Sequence, residues 1–338
     1  MKKERRISTR AQIYLSGLSN SWGDRLANFR FEHHRLRLPF VLSSMRTDWS
    51  RTRSRCSMPT NSLSRRTFLT FTAVLPWAWR AAAAATIPVG LEMYSVRDEL
   101  AKDPQGTVRA VAAMGYQGLE FYAPYMDWTP AQVQEMKALM DGLGIRCFST
   151  HNSESYFRND TMQRAIDFNH VLGSRYMVMA SSQPGSGLDG WKKIAEELNV
   201  AADQLERVGL KAGYHNHQPE FTPVNGVRPI EILAKETKPS IMLQLDVGTC
   251  LQTGSDPVAW IKANPGRIRS LHLKEWSPDP GKGYSVLFGE GVANWKGILS
   301  AAKEVGGAEY FLIEQQGSRF PQLETAKKCL EAYRAKSF

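Results

Sequence analysis

The chain has 338 residues, enough for one large domain or two ordinary ones with a sizeable core. Its net charge of +10 belongs to the leader: residues 1–57 carry 13 Lys and Arg against four acids, residues 58–85 add Arg65, Arg66 and Arg80, and residues 86–338 are left slightly acidic. A folded basic face for a phosphate backbone is therefore not indicated. Beyond residue 57 only Cys147, Cys250 and Cys329 remain. An odd number with no CxxC implies no disulfide framework and no zinc cluster, and leaves them as small core residues.

Residues 1–57 are rich in Arg and Ser without a helical or strand period, and read as a disordered or non-native extension. Residues 58–85 carry Ser64-Arg65-Arg66-Thr67-Phe68-Leu69, a short apolar run, Arg80 and the alanines 81–85. This segment resembles a twin-arginine export signal followed by a cleavage site. Its apolar run is short against the roughly 20 residues of a membrane span, and Pro76 and Arg80 weaken it further. The expectation is a periplasmic protein, residues 86–338, with no stable membrane anchor after cleavage.

From Thr86 onward short apolar runs alternate with amphipathic helices. Eight strands are expected: Val89–Tyr94, Gly118–Tyr122, Ile145–Thr150, Tyr176–Ser181, Lys211–His215, Ile241–Asp246, Ile268–Lys274 and Tyr310–Glu314. Thr129-Pro130, Asp256-Pro257 and Asn294-Trp295 are helix starts, and Gly142 and Gly144 close the first of these helices. Trp191, Ile194, Ala195, Leu198, Ala202, Leu205 and Val208 have the spacing of one buried helix face. Eight strand–helix units over 253 residues match a (β/α)8 TIM barrel. A doubly wound open sheet shares the alternation, but no GxGxxG follows the first strand.

In such a barrel chemistry sits at the C-terminal strand ends. Those ends carry Glu92, Glu120, His151, His215 with His217, Asp246, His272 with Lys274, and Glu314. Four of the five histidines after the leader lie there, His170 on a helix being the exception. Asp246, His272 and Glu314 each end an apolar strand, where a buried carboxylate must be paired or bound to a cation. The alternative for each is a salt bridge, with Lys274 or Arg269 as partner. A mixed carboxylate and imidazole set suits Mn, Co, Zn or Fe, with Mg also open.

The stretches VGLEMYSVRD, MGYQGLEFY, GYHNHQPEF, LQLDVG, LHLKEW, FGEGVANW and FLIEQ, at residues 89–98, 114–122, 213–221, 243–248, 271–276, 288–295 and 311–315, resemble the sugar phosphate isomerase/epimerase family with its xylose isomerase-like barrel. That group also includes inosose dehydratase-like proteins and an endonuclease IV branch. The resemblance implies a divalent metal on His215, Asp246, His272 and Glu314. Many members have a glutamate followed by Asn on strand five, where this chain has His215-Asn216, which leaves His217 and Glu220 as substitute ligands. Losing that carboxylate favours chemistry with a single base, such as dehydration, over epimerisation.

The resemblance thus implies a metal-dependent isomerase, epimerase or dehydratase/lyase acting on a small sugar, keto-sugar or inosose-like polyol by removing a proton next to a carbonyl. Glu314, His151 and His217 are the candidate bases, Lys274 a stabiliser of the oxyanion, and Glu120 a residue that orients a ligand or a hydroxyl. Trp128, Trp276, Phe121 and Tyr122 are available to face a sugar ring. No arginine cluster presents a phosphate site, so an unphosphorylated sugar is expected. An endonuclease IV-like nuclease is disfavoured, because Val247-Gly248-Thr249-Cys250 supplies no histidine after Asp246 and a nucleic-acid partner is not expected. A metal-free sugar-binding barrel is the alternative that is not an enzyme.

Overall fold

The computed structural model describes residues 86–158 and 161–336. The leader and the export signal expected at 1–57 and 58–85 lie outside the described residues. Eight parallel strands close into a barrel, each pairing with the next and the last with the first. They are β1 Val89–Glu92, β2 Gly118–Phe121, β3 Arg146–Ser153, β4 Tyr176–Ser181, β5 Lys211–His215, β6 Met242–Asp246, β7 Ser270–Leu273 and β8 Tyr310–Ile313. The TIM barrel expected from the alternation is the fold observed. No helix among the described residues is long and apolar enough to cross a membrane.

The expected helix starts are built as their sequences require. The Thr129 hydroxyl accepts from the Gln132 N–H at 3.3 Å while Gln132 Oε1 accepts from the Thr129 N–H at 2.7 Å, and the helix ends at Gly144 with φ 67°. Asp256 and Asn294 cap their helices in the same way, through the Val258 and Gly297 N–H groups. On the helix Gly187–Arg207 the face from Trp191 to Leu205 is buried as its spacing dictates. Val208 does not continue it: the residue falls at the cap and is 41% exposed, because the last helical turn has already ended.

Inside the barrel, away from the strand C-termini, Phe148, Tyr176, Val178, Met242, Tyr310 and Leu312 form an apolar plug. The Phe148 ring lies where a side chain on Gly118 would stand, so only glycine fits there. This plug fills the barrel below the polar layer. Two strands end more than one residue away from expectation, while β2, β7 and β8 each stop one residue early. β1 stops at Glu92, whose carboxylate accepts from the Tyr94 N–H and turns the chain into a short 3-10 helix. β3 runs on to Ser153 because it stays paired with β4 through Ser153 and Ser181, which places His151 within the strand.

Candidate active site

Strand register builds the site. Glu92 lies opposite Glu120, His215 opposite Gln244, and Asp246 opposite His272. Parallel strands aligned in this way bring polar side chains from most of the ring into one layer. The ligand atoms of His215, Asp246, His272 and Glu314 all lie within 4.8 Å of one another, and all four residues are buried.

Lys274 sits at the heart of this layer although β7 has ended one residue earlier. It is 1% exposed, and its Nζ donates to Asp246 Oδ2 at 3.1 Å and to Glu314 Oε1 at 3.0 Å. Burial opposes the ammonium, but the two carboxylates outweigh it and hold the Lys274 pKa above its ordinary value. The salt-bridge alternative therefore holds for Lys274. Arg269 takes no part, since its guanidinium donates to the Gly266 and Ser240 carbonyls.

His272 bridges two carboxylates, with Nδ1 2.7 Å from Glu314 Oε2 and Nε2 2.7 Å from Glu120 Oε1. Burial lowers its pKa, yet these anions overcome burial and raise it to about 9. Glu314 feels the converse: burial pushes its pKa up, but Lys274 and His272 bring it well below the carboxylate range. Glu120, fully buried, accepts from Ser149, from Gln244 Nε2 at 2.9 Å, and faces the Nε2 atoms of His151 at 2.9 Å and His272. Burial raises its pKa, and the two imidazoles more than reverse the shift. Glu120 thus holds the His272 ring in place through its Nε2.

At strand five the neighbours of His215 have other partners. His215 Nε2 stands 3.9 Å from Asp246 Oδ2, too far for a hydrogen bond. Glu220 is used elsewhere, accepting from the Tyr214 hydroxyl at 2.7 Å and the His217 N–H at 2.8 Å. His217 packs edge-on to His215, with ring centroids 4.9 Å apart, and faces the cavity above it. Burial lowers the pKa of both imidazoles, so each is neutral at pH 7. Asn216, on the opposite face of the strand, accepts from the Asp246 N–H and donates to Thr249, whose own N–H holds Asp246 Oδ1. This fixes the carboxylate with Oδ2 toward Lys274 and His215.

A cavity of about 330 Å³ opens over the layer, lined among others by Glu92, Tyr94, Tyr122, His151, His217 and Glu314. Its aromatic wall is the edge-to-face pair Tyr94 and Tyr122, with centroids 5.4 Å apart. Of the four aromatics expected to face a substrate only Tyr122 does so. Phe121 is buried in β2, Trp128 packs against Phe121 and Tyr125, and Trp276 is absent from the cavity lining. A cavity of 390 Å³ among Arg146, Arg175 and Glu309 lies at the opposite barrel end and holds none of the strand-end residues. His170 Nε2 donates to the Val208 carbonyl, outside the site.

Sequence reasoning missed Gln244, Ser149 and the special position of Glu92. Glu92 is buried with Oε2 unpartnered, and burial together with Glu120 and Glu314 raises its pKa well above the carboxylate range. It also missed Glu275, fully buried, which accepts from the Gly289 N–H at 2.8 Å and the Trp295 indole N–H at 2.6 Å and so pins the loop after β7. That loop carries Tyr284 over the Lys274 ammonium, 4.8 Å from the ring centroid.

The model of the xylose isomerase-like TIM barrel family matches residues 108–336. The chain belongs to that family. Among family relatives it is 26% identical over 196 residues to an inosose dehydratase of Clostridium beijerinckii, spanning 51% of this chain and 63% of that protein. It is 27% identical over 241 residues to a putative L-ribulose-5-phosphate 3-epimerase of Escherichia coli, covering 61% of this chain and 80% of the relative. A crystal structure of a sugar phosphate isomerase/epimerase from Parabacteroides distasonis superposes with a TM-score of 0.65 at 26% identity, over 75% of this chain and 96% of that one. This member of the family is sugar isomerase/epimerase-like in both sequence and fold.

Proposed function

We propose that the protein is a metal-dependent lyase or isomerase that removes a proton next to the carbonyl of an uncharged sugar, keto-sugar or inosose-like polyol, with dehydration favoured over epimerisation. The observation that carries this reading is the convergence of His215, Asp246, His272 and Glu314 beneath one cavity. The donor chemistry fits a divalent ion: two imidazoles and two carboxylates, with the 3.9 Å gap between His215 and Asp246 left unbridged by hydrogen. Such an ion supplies Lewis-acid polarisation of a substrate carbonyl or hydroxyl.

The remaining work falls to the chain's own side chains. Both oxygens of Glu314 are engaged by Lys274 and His272, so a proton on carbon is taken more readily by a neutral imidazole facing the cavity, and His217 meets that requirement. The Lys274 ammonium places positive charge beside the developing oxyanion. Glu92, whose carboxyl is pushed toward its protonated form by burial and by Glu120 and Glu314, is positioned in the cavity lining to give a proton to a departing hydroxyl, which leaves as water as the carbon–oxygen bond breaks. One carboxylic acid and one imidazole of opposite readiness suit elimination better than a symmetric exchange between two carboxylates. Tyr94 and Tyr122 offer an aromatic wall to the apolar face of a ring, and among the described residues no arginine or lysine lines the cavity to balance a phosphate.

The test is NMR of inosose incubated in D2O with protein loaded with Mn2+. Exchange of the hydrogen next to the carbonyl and loss of water are expected. His217→Ala should lose the exchange while keeping its Mn2+, and Asp246→Ala or His272→Ala should lose the ion itself. Wild-type protein that holds Mn2+ but exchanges no such hydrogen in inosose or in unphosphorylated ketoses would refute the reading.

A further inference from the structure

The hydrogen bonds around Gln244 decide which nitrogen of His215 is bare. Gln244 lies on β6 two residues before Asp246, 1% exposed, between the carboxylate of Glu120 and the histidine pair. Its Nε2 is 2.9 Å from Glu120 Oε2 and 3.3 Å from Ser270 Oγ. Its Oε1 is 2.7 Å from His151 Nε2 and 3.0 Å from His215 Nδ1. The reverse amide orientation would set a carbonyl oxygen against a carboxylate oxygen at the same 2.9 Å, two acceptors with no hydrogen between them.

The amide oxygen only accepts, so each imidazole nitrogen facing it must carry hydrogen. For a neutral His215 that leaves Nε2 as the lone-pair atom, and Nε2 is the nitrogen 3.9 Å from Asp246 Oδ2. Glu120 orients the neighbouring ring in the same sense, accepting from Nε2 of His272 and turning Nδ1 toward Glu314, where a metal ion would displace the Nδ1 proton. The two rings therefore offer different atoms, one Nε2 and one Nδ1, toward the same four-residue cluster. Amide and carboxylate are themselves joined, so the setting of one constrains the other.

We propose that Gln244 is a positioning residue that holds His215 in the Nδ1–H form and so makes its Nε2 the strand-five metal donor. The inference rests on the metal reading above, but the orientation it claims belongs to the metal-free protein and is measured there. An outer partner of a metal-binding imidazole typically contributes 10–100-fold in affinity. Gln244→Met keeps the length and removes both the acceptor and the donor. Gln244→Glu restores an acceptor toward the two imidazoles and, protonated on its other oxygen, a donor toward Glu120.

The experiment is two-bond 1H–15N correlation NMR on metal-free full-length protein labelled with 15N-histidine, with His215 assigned by loss of its signals in His215→Asn. Wild type should show His215 protonated on Nδ1 and bare on Nε2. Gln244→Met should shift His215 toward the Nε2–H form and weaken Mn2+ binding by roughly 10–100-fold, and Gln244→Glu should recover both. Wild-type His215 protonated on Nε2 overturns the proposal, whether or not Gln244→Met folds. So does a folded Gln244→Met whose tautomer and Mn2+ affinity match wild type. A wild-type protein with the Nδ1–H form that takes up no Mn2+ supports the orientation and sinks the metal reading instead.

Discussion

Lys274→Met tests whether the centre of the polar layer is held by one protein cation beside the proposed metal site. The substitution keeps the aliphatic stem and removes an ammonium lying 3.1 Å from Asp246 and 3.0 Å from Glu314. Breaking a buried pair by deleting one partner costs about 3–5 kcal/mol, because the remaining charge is left uncompensated. For a barrel of this size each kcal/mol lowers the melting temperature by about 2–4 °C, so a fall of about 6–20 °C is expected without metal. Mn2+ restores positive charge between the same two carboxylates. At about 100 times its dissociation constant it stabilises by about 2.7 kcal/mol through mass action alone. The variant also lacks a cation that repels the ion, so its rise in melting temperature on adding Mn2+ should exceed the wild-type rise. The assay is thermal unfolding of both proteins with chelator and with Mn2+. Equal melting temperatures with chelator, or an equal rise with Mn2+, would show that Lys274 does not balance these carboxylates as described.

Two further outcomes follow from the same charges and from the leader. His272 has its pKa raised from 6.5 to about 9 in the folded chain, so its contribution is complete below about pH 6.5 and is lost as pH rises through about 9. Melting temperature with chelator should therefore decline across that window. The decline should be absent in His272→Asn, and a flat profile in wild type would contradict the pairing with Glu120 and Glu314. Export by the twin-arginine route, proposed from Arg65-Arg66 and the alanines 81–85, predicts that replacing both arginines by lysine retains the protein in the cytoplasm. Unchanged export, read by cell fractionation, would dismiss it.

The sequence by itself determined the units and much of the inventory. Apolar runs such as MLQLD and SLHL specify strands buried on both faces, and caps such as Thr129-Pro130 specify where helices begin, because both depend on neighbours along the chain. For the same reason Asp246, His272 and Glu314 could be placed at strand ends, where an ionisable group closing an apolar run has few structural explanations. Tertiary structure decided which of these groups touch. Closing the barrel set Glu120 beside His272, although 152 positions separate them, and put Gln244 between Glu120 and His215. A glutamine inside an apolar strand has no local signature of such a role, since its meaning lies in what the adjacent strands present at that height. The aromatic wall was half legible: Tyr122 was available from the sequence, but only the packing of the loops sends Tyr94, two residues past β1, to the cavity and Trp128, beyond the short helix after β2, against the core. Local sequence fixes where a side chain leaves the backbone, whereas register and closure fix what it meets.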